Sequence, residues 1–201
     1  LEEDLIRKDE TLEERIQTAQ PKLNLNYQPS ESRAEAISKV DSGEADFAIV
    51  PLIEPLPNSL KSEIIAYDGL VPIVAFSYSQ RQKGLPNKLK GKITLNQLEQ
   101  LYSGNINYWD EIKGPTIPVE LYAPQDKEAR EIFTSRILTN QQTRNSGNVM
   151  NAQVRLLSEI PMMRAVIKDL EDRQKGGIGF SSISKIVGQC SVYPLALQNK
   201  R

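Results

Sequence analysis

Residues 94–114, TLNQLEQLYSGNINYWDEIKG, constrain this chain more than any other stretch, because a helix start, a helix stop and the only tryptophan follow one another there. Thr94 and Gln97 have the spacing of a capping box, in which each side chain satisfies an amide that the first helical turn leaves unpaired. Leu95, Leu98, Leu101 and Tyr102 recur at helical spacing, and Ser103-Gly104 predicts the stop, since glycine enters the left-handed region without steric cost. A turn follows at Asn105 to Asn107, and Trp109 and Ile112 lead back to Gly114. From the residues alone this is a packed helix and loop whose tryptophan belongs to the core.

Absent residue types narrow the chemistry. The 201 residues include no histidine and one cysteine, Cys190, so the usual zinc sites, the Ser-His-Asp triad and the Cys-His dyad cannot be built. No pair of carboxylates stands out by spacing, so the chain is expected to be no enzyme and to need no metal or cofactor. Asp110 and Glu111 read as solvated loop charges, and Cys190 and the methionines as core. Lys+Arg 25 against Asp+Glu 26 leaves no bulk field for nucleic acid or an anionic membrane, and 6% aromatics leaves little for base stacking. No apolar run approaches the ~20 residues of a membrane span. The chain opens on Leu1 rather than Met, as a processed, trimmed or excised piece would.

Taken in order, Leu12, Ile16 and Ala19 predict a short helix before Pro21, and Leu23, Leu25 and Tyr27 alternate as a half-buried strand does. Ala34, Ile37 and Val40 predict a helix stopped by Gly43. Residues 45–50 follow as a continuous apolar run of the kind buried in a parallel sheet. Pro51, Pro55 and Pro57 impose an extended loop. Residues 64–76 form a second apolar segment, which Asp68-Gly69 and Pro72 mark as an edge or a bend. Residues 77–92 are a polar, basic surface connection. A strand is expected over 119–123, and Asp126 caps a helix with Ala129, Ile132, Phe133 and Ile137 on its apolar face. Residues 139–151 read as a loop. Pro161 near its start, Met163, Val166, Ile167 and Leu170 along it, and Gly176-Gly177 beyond its end mark a last long helix, and two short strands close the chain. Alternating helices and strands imply an α/β fold with a parallel sheet.

The run from the leucine-patterned helix through Tyr102-Ser103-Gly104, the turn, Trp109, an acidic residue and Gly114 resembles the signature of the phosphate-binding components of high-affinity phosphate ABC transporters. Three more blocks match that family in order. AEAISKVDSGEADFAIV resembles its second helix and strand, IAYDGLVPIVAF its first crossover strand, and GGIGFSSISKIV its glycine-isoleucine-glycine-aromatic return. The resemblance implies a type II periplasmic-binding-protein-like fold, two α/β lobes with a ligand cleft between them. Lobe one would be residues 1–72 plus 188–201, and lobe two residues 73–187. It also implies an extracytoplasmic solute-binding protein, periplasmic or extracellular, with any membrane anchor outside this segment. Such a protein holds phosphate or a similar small oxyanion for an ABC transporter permease.

A dehydrated oxyanion needs helix N-terminal amides, hydroxyls and usually an arginine. Ser30, Ser32 and Arg33 stand at one helix start, where they suit either an anion or a plain cap with a solvated arginine. At a second helix start the family carries serine-glycine-threonine-arginine. Here Lys127-Glu128-Ala129-Arg130 stands in that place, with Gln125 and Tyr122 as further donors, and an ordinary charged helix start fits equally. The family's aspartate after its second strand is replaced by Val50-Pro51-Leu52, with no acid until Glu54, and residues 1–11 have neither the pattern nor the glycines of its first strand. These departures support a second reading, a ligand-sensing or protein-interaction domain, with a fused or partner signalling domain, that keeps the fold and has lost the phosphate site.

Overall fold

The computed structural model describes residues 12–23, 25–26, 28–52, 54–76, 84–138 and 150–198. The chain divides into two compact units, residues 1–61 and 62–201. In chain order the elements are α1 (Leu12–Ala19), α2 (Arg33–Asp41), β1 (Leu70–Ala75), α3 (Leu85–Lys88), β2 (Lys92–Thr94), α4 (Leu95–Tyr102), β3 (Val119–Pro124), α5 (Lys127–Ile137), β4 (Arg155–Leu157), α6 (Glu159–Arg173), β5 (Gly176–Ser182), α7 (Ile183–Ile186), β6 (Val192–Pro194) and β7 (Ala196–Gln198). A single 3₁₀ turn spans Trp109–Ile112.

The first unit contains α1 and α2. Gly43 ends α2 with φ +76°, and the Gly43 and Ala45 amides donate to the Val40 and Lys39 carbonyls at 3.1 and 3.0 Å. Residues 45–50 are not the buried strand their composition suggests: they form no strand, and Phe47 and Ile49 are 61% and 59% exposed. Leu23 and Leu25 likewise lie in no strand. A strand needs a partner ladder for its backbone groups, and no strand exists among the described residues of this unit. The side chains of Leu12 and Ile16, Tyr27, and residues 1–11 fall outside the described residues.

The second unit is a five-stranded sheet in the order β4-β3-β5-β1-β6, with a separate parallel pair, β2 and β7. β3 runs parallel to both β4 and β5, as alternating helices and strands imply. β1 departs from that expectation by pairing antiparallel with β5 and β6. Those two strands therefore run the same way with α7 between them in sequence, and β1 fills the slot they leave. Pro72 thus lies inside the sheet and not at an edge. β6 pairs with β1 only from Ile73 onward, so the missing Pro72 donor falls where that ladder has ended, and the Pro72 carbonyl accepts the Leu195 amide at 2.8 Å.

Strand alternation sends side chains to two cores. Val74, Leu121, Ala123, Ile178 and Phe180 face α4, α5 and the tryptophan turn, while Ile73, Ala75 and Tyr122 face Met162, Met163 and Val166 of α6. Phe133 stacks on Phe180 with centroids 4.0 Å apart, and Tyr102 meets Phe133 edge-on at 4.7 Å. The Tyr102 hydroxyl donates to the Tyr122 carbonyl at 2.8 Å. On the opposite face of β5, Gly177 lets α6 approach, since a Cβ there would lie 2.9 Å from the Val166 Cα.

α4 starts as its sequence requires: Thr94 Oγ1 accepts the Gln97 amide at 3.1 Å and Gln97 Oε1 accepts the Thr94 amide at 2.9 Å. Trp109 is fully buried and its Nε1 donates to the Gly176 carbonyl at 2.8 Å. Glu111 is no idle loop charge, because its carboxylate accepts the Asn107 and Tyr108 amides at 3.0 and 2.9 Å. Gly176 and Gly177 lie beyond the end of α6, as expected, and open β5; the helix itself ends at Gln174, in the left-handed region at φ +52°. Met162 and Met163 are core, as expected of methionines here, whereas Cys190 is exposed in the turn between α7 and β6. Asp68 fastens the start of β1 to α7: its carboxylate accepts the Ser184 hydroxyl at 2.6 Å and the Gly69 amide at 2.8 Å. Desolvation raises its pKa, but these bonds outweigh it and hold the carboxyl below its ordinary value.

A Cβ at Gly176 would lie 2.0 Å from Trp109 Nε1, whereas one at Gly69 meets nothing within 4 Å. Gly176→Ala is therefore expected to cost about 3 kcal/mol or more in urea unfolding, and Gly69→Ala less than about 0.5 kcal/mol. Because its folded-state pKa is lowered, Asp68 contributes stability that is present above its unfolded pKa, about 4, and lost as pH falls through the folded value. Asp68→Asn should then differ from the parent chain by at most about 1 kcal/mol at pH 7, the carboxylate being exposed, and the difference should shrink as the pH falls below the unfolded pKa of about 4.

Candidate functional site

At the start of α2, Ser30, Ser32 and Arg33 lie within one turn of chain. Ser32 is extended (φ −151°) and its hydroxyl oxygen accepts the Glu35 amide at 3.2 Å. Glu35 takes up the Glu31 amide at 2.8 Å and pairs with Lys39 at 2.8 Å; the Lys39 bond, then that amide, lower its pKa. Arg33 is not solvated. Its Nε donates to the Pro51 carbonyl at 3.0 Å and its Nη2 to the Glu54 carbonyl at 2.9 Å, so the guanidinium fastens the proline-rich loop to the helix start.

In the second unit, β3 and β4 end side by side at Pro124 and Leu157, and α5 and α6 begin just beyond. Ligands of α/β sheets sit at such carboxyl ends, where helix N-termini collect. Asp126 fills the α5 cap by accepting the Ala129 amide at 3.1 Å. Arg130 Nη1 donates to the Pro124 carbonyl at 2.8 Å, closing the turn between strand and helix. The Gln125 amide donates to the Leu157 carbonyl at 3.0 Å, leaving its side chain exposed, and Lys127 pairs loosely with Glu131 at 3.6 Å. Gln125, Lys127 and Arg130 thus share one helix start.

Tyr122 does not join them. It is fully buried, its hydroxyl donates to Asp169 Oδ2 at 2.6 Å, and burial, followed by that bond, pushes the phenol well above its ordinary pKa. Asp169 is itself buried and accepts from Arg173 Nη1 at 3.1 Å, a structural pairing. Its sequence signal is its place on the α6 stripe of Met162, Val166 and Asp169, where a carboxylate needs partners. Unforeseen polar groups also gather at the start of α6: Glu159 accepts the Ser181 hydroxyl at 3.0 Å and pairs with Lys185 at 2.9 Å.

A cavity of about 360 Å³ opens at the other end of β3, lined by Ile106, Asn107, Val119, Glu120, Leu121 and Gln153. None of the six candidate residues lines it, and Glu120 is paired there with Lys175. Among the described residues no cluster of three or more His, Cys, Asp or Glu side chains could hold a metal, and no helix is long and apolar enough to cross a membrane.

A sequence model described as the PBP superfamily domain matches residues 9–192. A Clostridium perfringens structure, described as a phosphate ABC transporter substrate-binding protein with bound phosphate, is 21% identical, with a TM-score of 0.61 over 92% of this chain and 68% of that one. An ABC-type phosphate transport receptor from Vibrio cholerae is 20% identical, with a TM-score of 0.62 over 94% of this chain and 71% of that one. PstS from Borrelia burgdorferi is 12% identical, with a TM-score of 0.55 over 93% and 70%. No curated protein matches the chain.

Because Asp126 occupies the α5 cap, Asp126→Ala is expected to lower stability by about 1 kcal/mol and Asp126→Asn by only a few tenths, measured by urea unfolding.

Proposed function

The chain belongs to the PBP superfamily domain family, and on that premise we propose that it is an extracytoplasmic solute-binding protein that binds phosphate or a similar small oxyanion for uptake by an ABC transporter permease. One observation carries this reading: the family match spans residues 9–192 and so includes both helix starts that present arginine beside main-chain amides. Two of the solved neighbours are described as phosphate-transport binding proteins, one with phosphate bound, which supports a binding role with no reaction step. The residues proposed to meet an anion are, within the first unit, Ser30, Ser32 and Arg33 at the start of α2 and, within the second unit, Gln125, Lys127 and Arg130 at the start of α5. Hydroxyl, carboxamide and cationic donors are the groups that replace the water of a small oxyanion.

A second reading, a ligand-sensing or protein-interaction domain on the same scaffold, is favoured by one specific feature. Arg33 and Arg130 direct donors to the carbonyls of Pro51, Glu54 and Pro124, and Asp126 already takes an α5 amide.

Thermal unfolding of desalted protein with phosphate, sulfate, molybdate or no added anion separates the two. A ligand at 100 times its Kd adds about 2.7 kcal/mol, or roughly 5–10 °C in Tm for a chain of this size. The expected outcome is a shift with phosphate that Arg130→Ala diminishes. No shift with any of the anions at millimolar concentration would leave the second reading in its place.

A further inference from the structure

Charge is unevenly distributed along a chain whose net charge is only −1. Residues 69–98 contain no aspartate or glutamate, yet Arg81, Lys83, Lys88, Lys90 and Lys92 fall within them. Within it, residues 84–94 form a tightly hydrogen-bonded knob. α3 ends at Lys88, Lys90 (φ +55°) and Gly91 (φ +67°) take the left-handed conformation, and β2 begins at Lys92. A lysine with positive φ is uncommon, and its neighbours hold the turn in place. The Gly91 amide donates to the Pro86 carbonyl at 2.7 Å, the Gly91 carbonyl accepts the Ala196 amide at 2.9 Å, and a Cβ on Gly91 would lie 2.7 Å from Tyr193 Oη. Leu89 and Gly91 are half-buried and Ile93 is buried, while Lys88, Lys90 and Lys92 are exposed. Three ammonium groups therefore project from one rigid base.

Four of the eight other described lysines have partners, Lys39 with Glu35, Lys127 with Glu131, Lys175 with Glu120 and Lys185 with Glu159, while Lys22, Lys61, Lys113 and Lys168 stand apart from one another in sequence. Lys88, Lys90 and Lys92 form no ion pair among the described residues. Soluble surfaces ordinarily intersperse the two signs. We propose that this lysine knob is a docking surface for an anionic phospholipid bilayer. Protein interfaces favour arginine and aromatic side chains and are depleted in lysine, and residues 84–94 contain neither arginine nor an aromatic. Single-stranded nucleic acid binding needs stacking platforms, which that stretch lacks. Lysine is a compact point charge, and a sheet of anionic headgroups attracts it without demanding a fixed geometry. The near-zero net charge does not cancel this attraction, because at about 0.1 M salt the field of distant carboxylates is screened beyond about 10 Å. Each lysine at such a surface contributes about fivefold in partition, and three together about a hundredfold. The attachment is weak, reversible and independent of any oxyanion.

Sedimentation of the full chain with phosphatidylglycerol–phosphatidylcholine vesicles, in phosphate-free buffer at about 0.1 M salt, tests this. The protein is expected to bind these vesicles, not pure phosphatidylcholine vesicles, and to be released at about 1 M salt, where screening shortens to about 3 Å. Lys88→Gln/Lys90→Gln/Lys92→Gln should lower the partition about a hundredfold, and Lys88→Gln alone, at an ordinary helical position, about fivefold. Lys113→Gln/Arg164→Gln/Lys168→Gln, which removes the same charge from other exposed positions, should retain most of the binding. No binding to anionic vesicles, equal binding to phosphatidylcholine, or equal losses in the two triple variants would overturn the proposal. Capture on polyglutamate without vesicle binding would also overturn it and assign the knob to an acidic polypeptide.

Discussion

The hydrogen bond from Trp109 to the Gly176 carbonyl is the contact on which the second unit depends. Gly176 is the first residue of β5 and pairs with Val119, the first residue of β3. Its own amide donates to the Pro118 carbonyl at 2.8 Å, while the Trp109 amide donates to the Ile117 carbonyl at 3.1 Å. The tryptophan turn therefore pins the first rung of the β3–β5 ladder. A one-residue slip would turn every side chain to the wrong face. Gly177 would leave the approach to α6, and Ile178 and Phe180 would leave the aromatic cluster of Tyr102 and Phe133. Since β5 also carries β1, and β1 carries β6, one buried indole sets the register of the sheet's centre.

Local rules made most of that unit legible. The Thr94–Gln97 box, the stop at Gly104, the core tryptophan and the Asp126 cap need only residues three or four apart, and each is where its spacing places it. Pairing direction and strand position were not legible, because they depend on partners far away in sequence. Pro72 looked like an edge or a bend, yet it is tolerated within the sheet where β6 stops short. Gly176-Gly177 do lie beyond the last long helix, but their lack of side chains also serves close packing against Trp109 and α6, two contacts invisible in a linear pattern. In the first unit, residues 45–50 have the composition of a strand, but no partner strand lies among the described residues of that unit, and composition alone does not make one.

The candidate site was legible as residue types and not as geometry. Sequence located the two helix starts and their arginines correctly, since caps and dipoles are local. It could not show where flexible donors go. Arg33 reaches the loop carbonyls of Pro51 and Glu54, and Arg130 turns back to Pro124. Tyr122, a plausible donor by position, is held by Asp169 on the α6 face of the sheet, because strand alternation sends it opposite to Leu121 and Ala123.

Magnitudes decide what this self-satisfied arrangement means for an anion. Displacing Asp126 from the Ala129 amide exchanges one charge-assisted acceptor for another and forfeits about 1 kcal/mol of capping. Freeing Arg130 from the Pro124 carbonyl costs about another 1 kcal/mol, and a better charged partner returns part of it. Micromolar binding corresponds to about 8 kcal/mol, so losses of up to about 2 kcal/mol would weaken an oxyanion site to roughly 30 μM without abolishing it. Like-charge repulsion adds to these costs: Asp126 and Glu128 stand at the same helix start, opposed by Lys127 and Arg130. That balance favours an anion only if Asp126 swings away from the amides as the anion arrives, so binding there would be coupled to release of the cap.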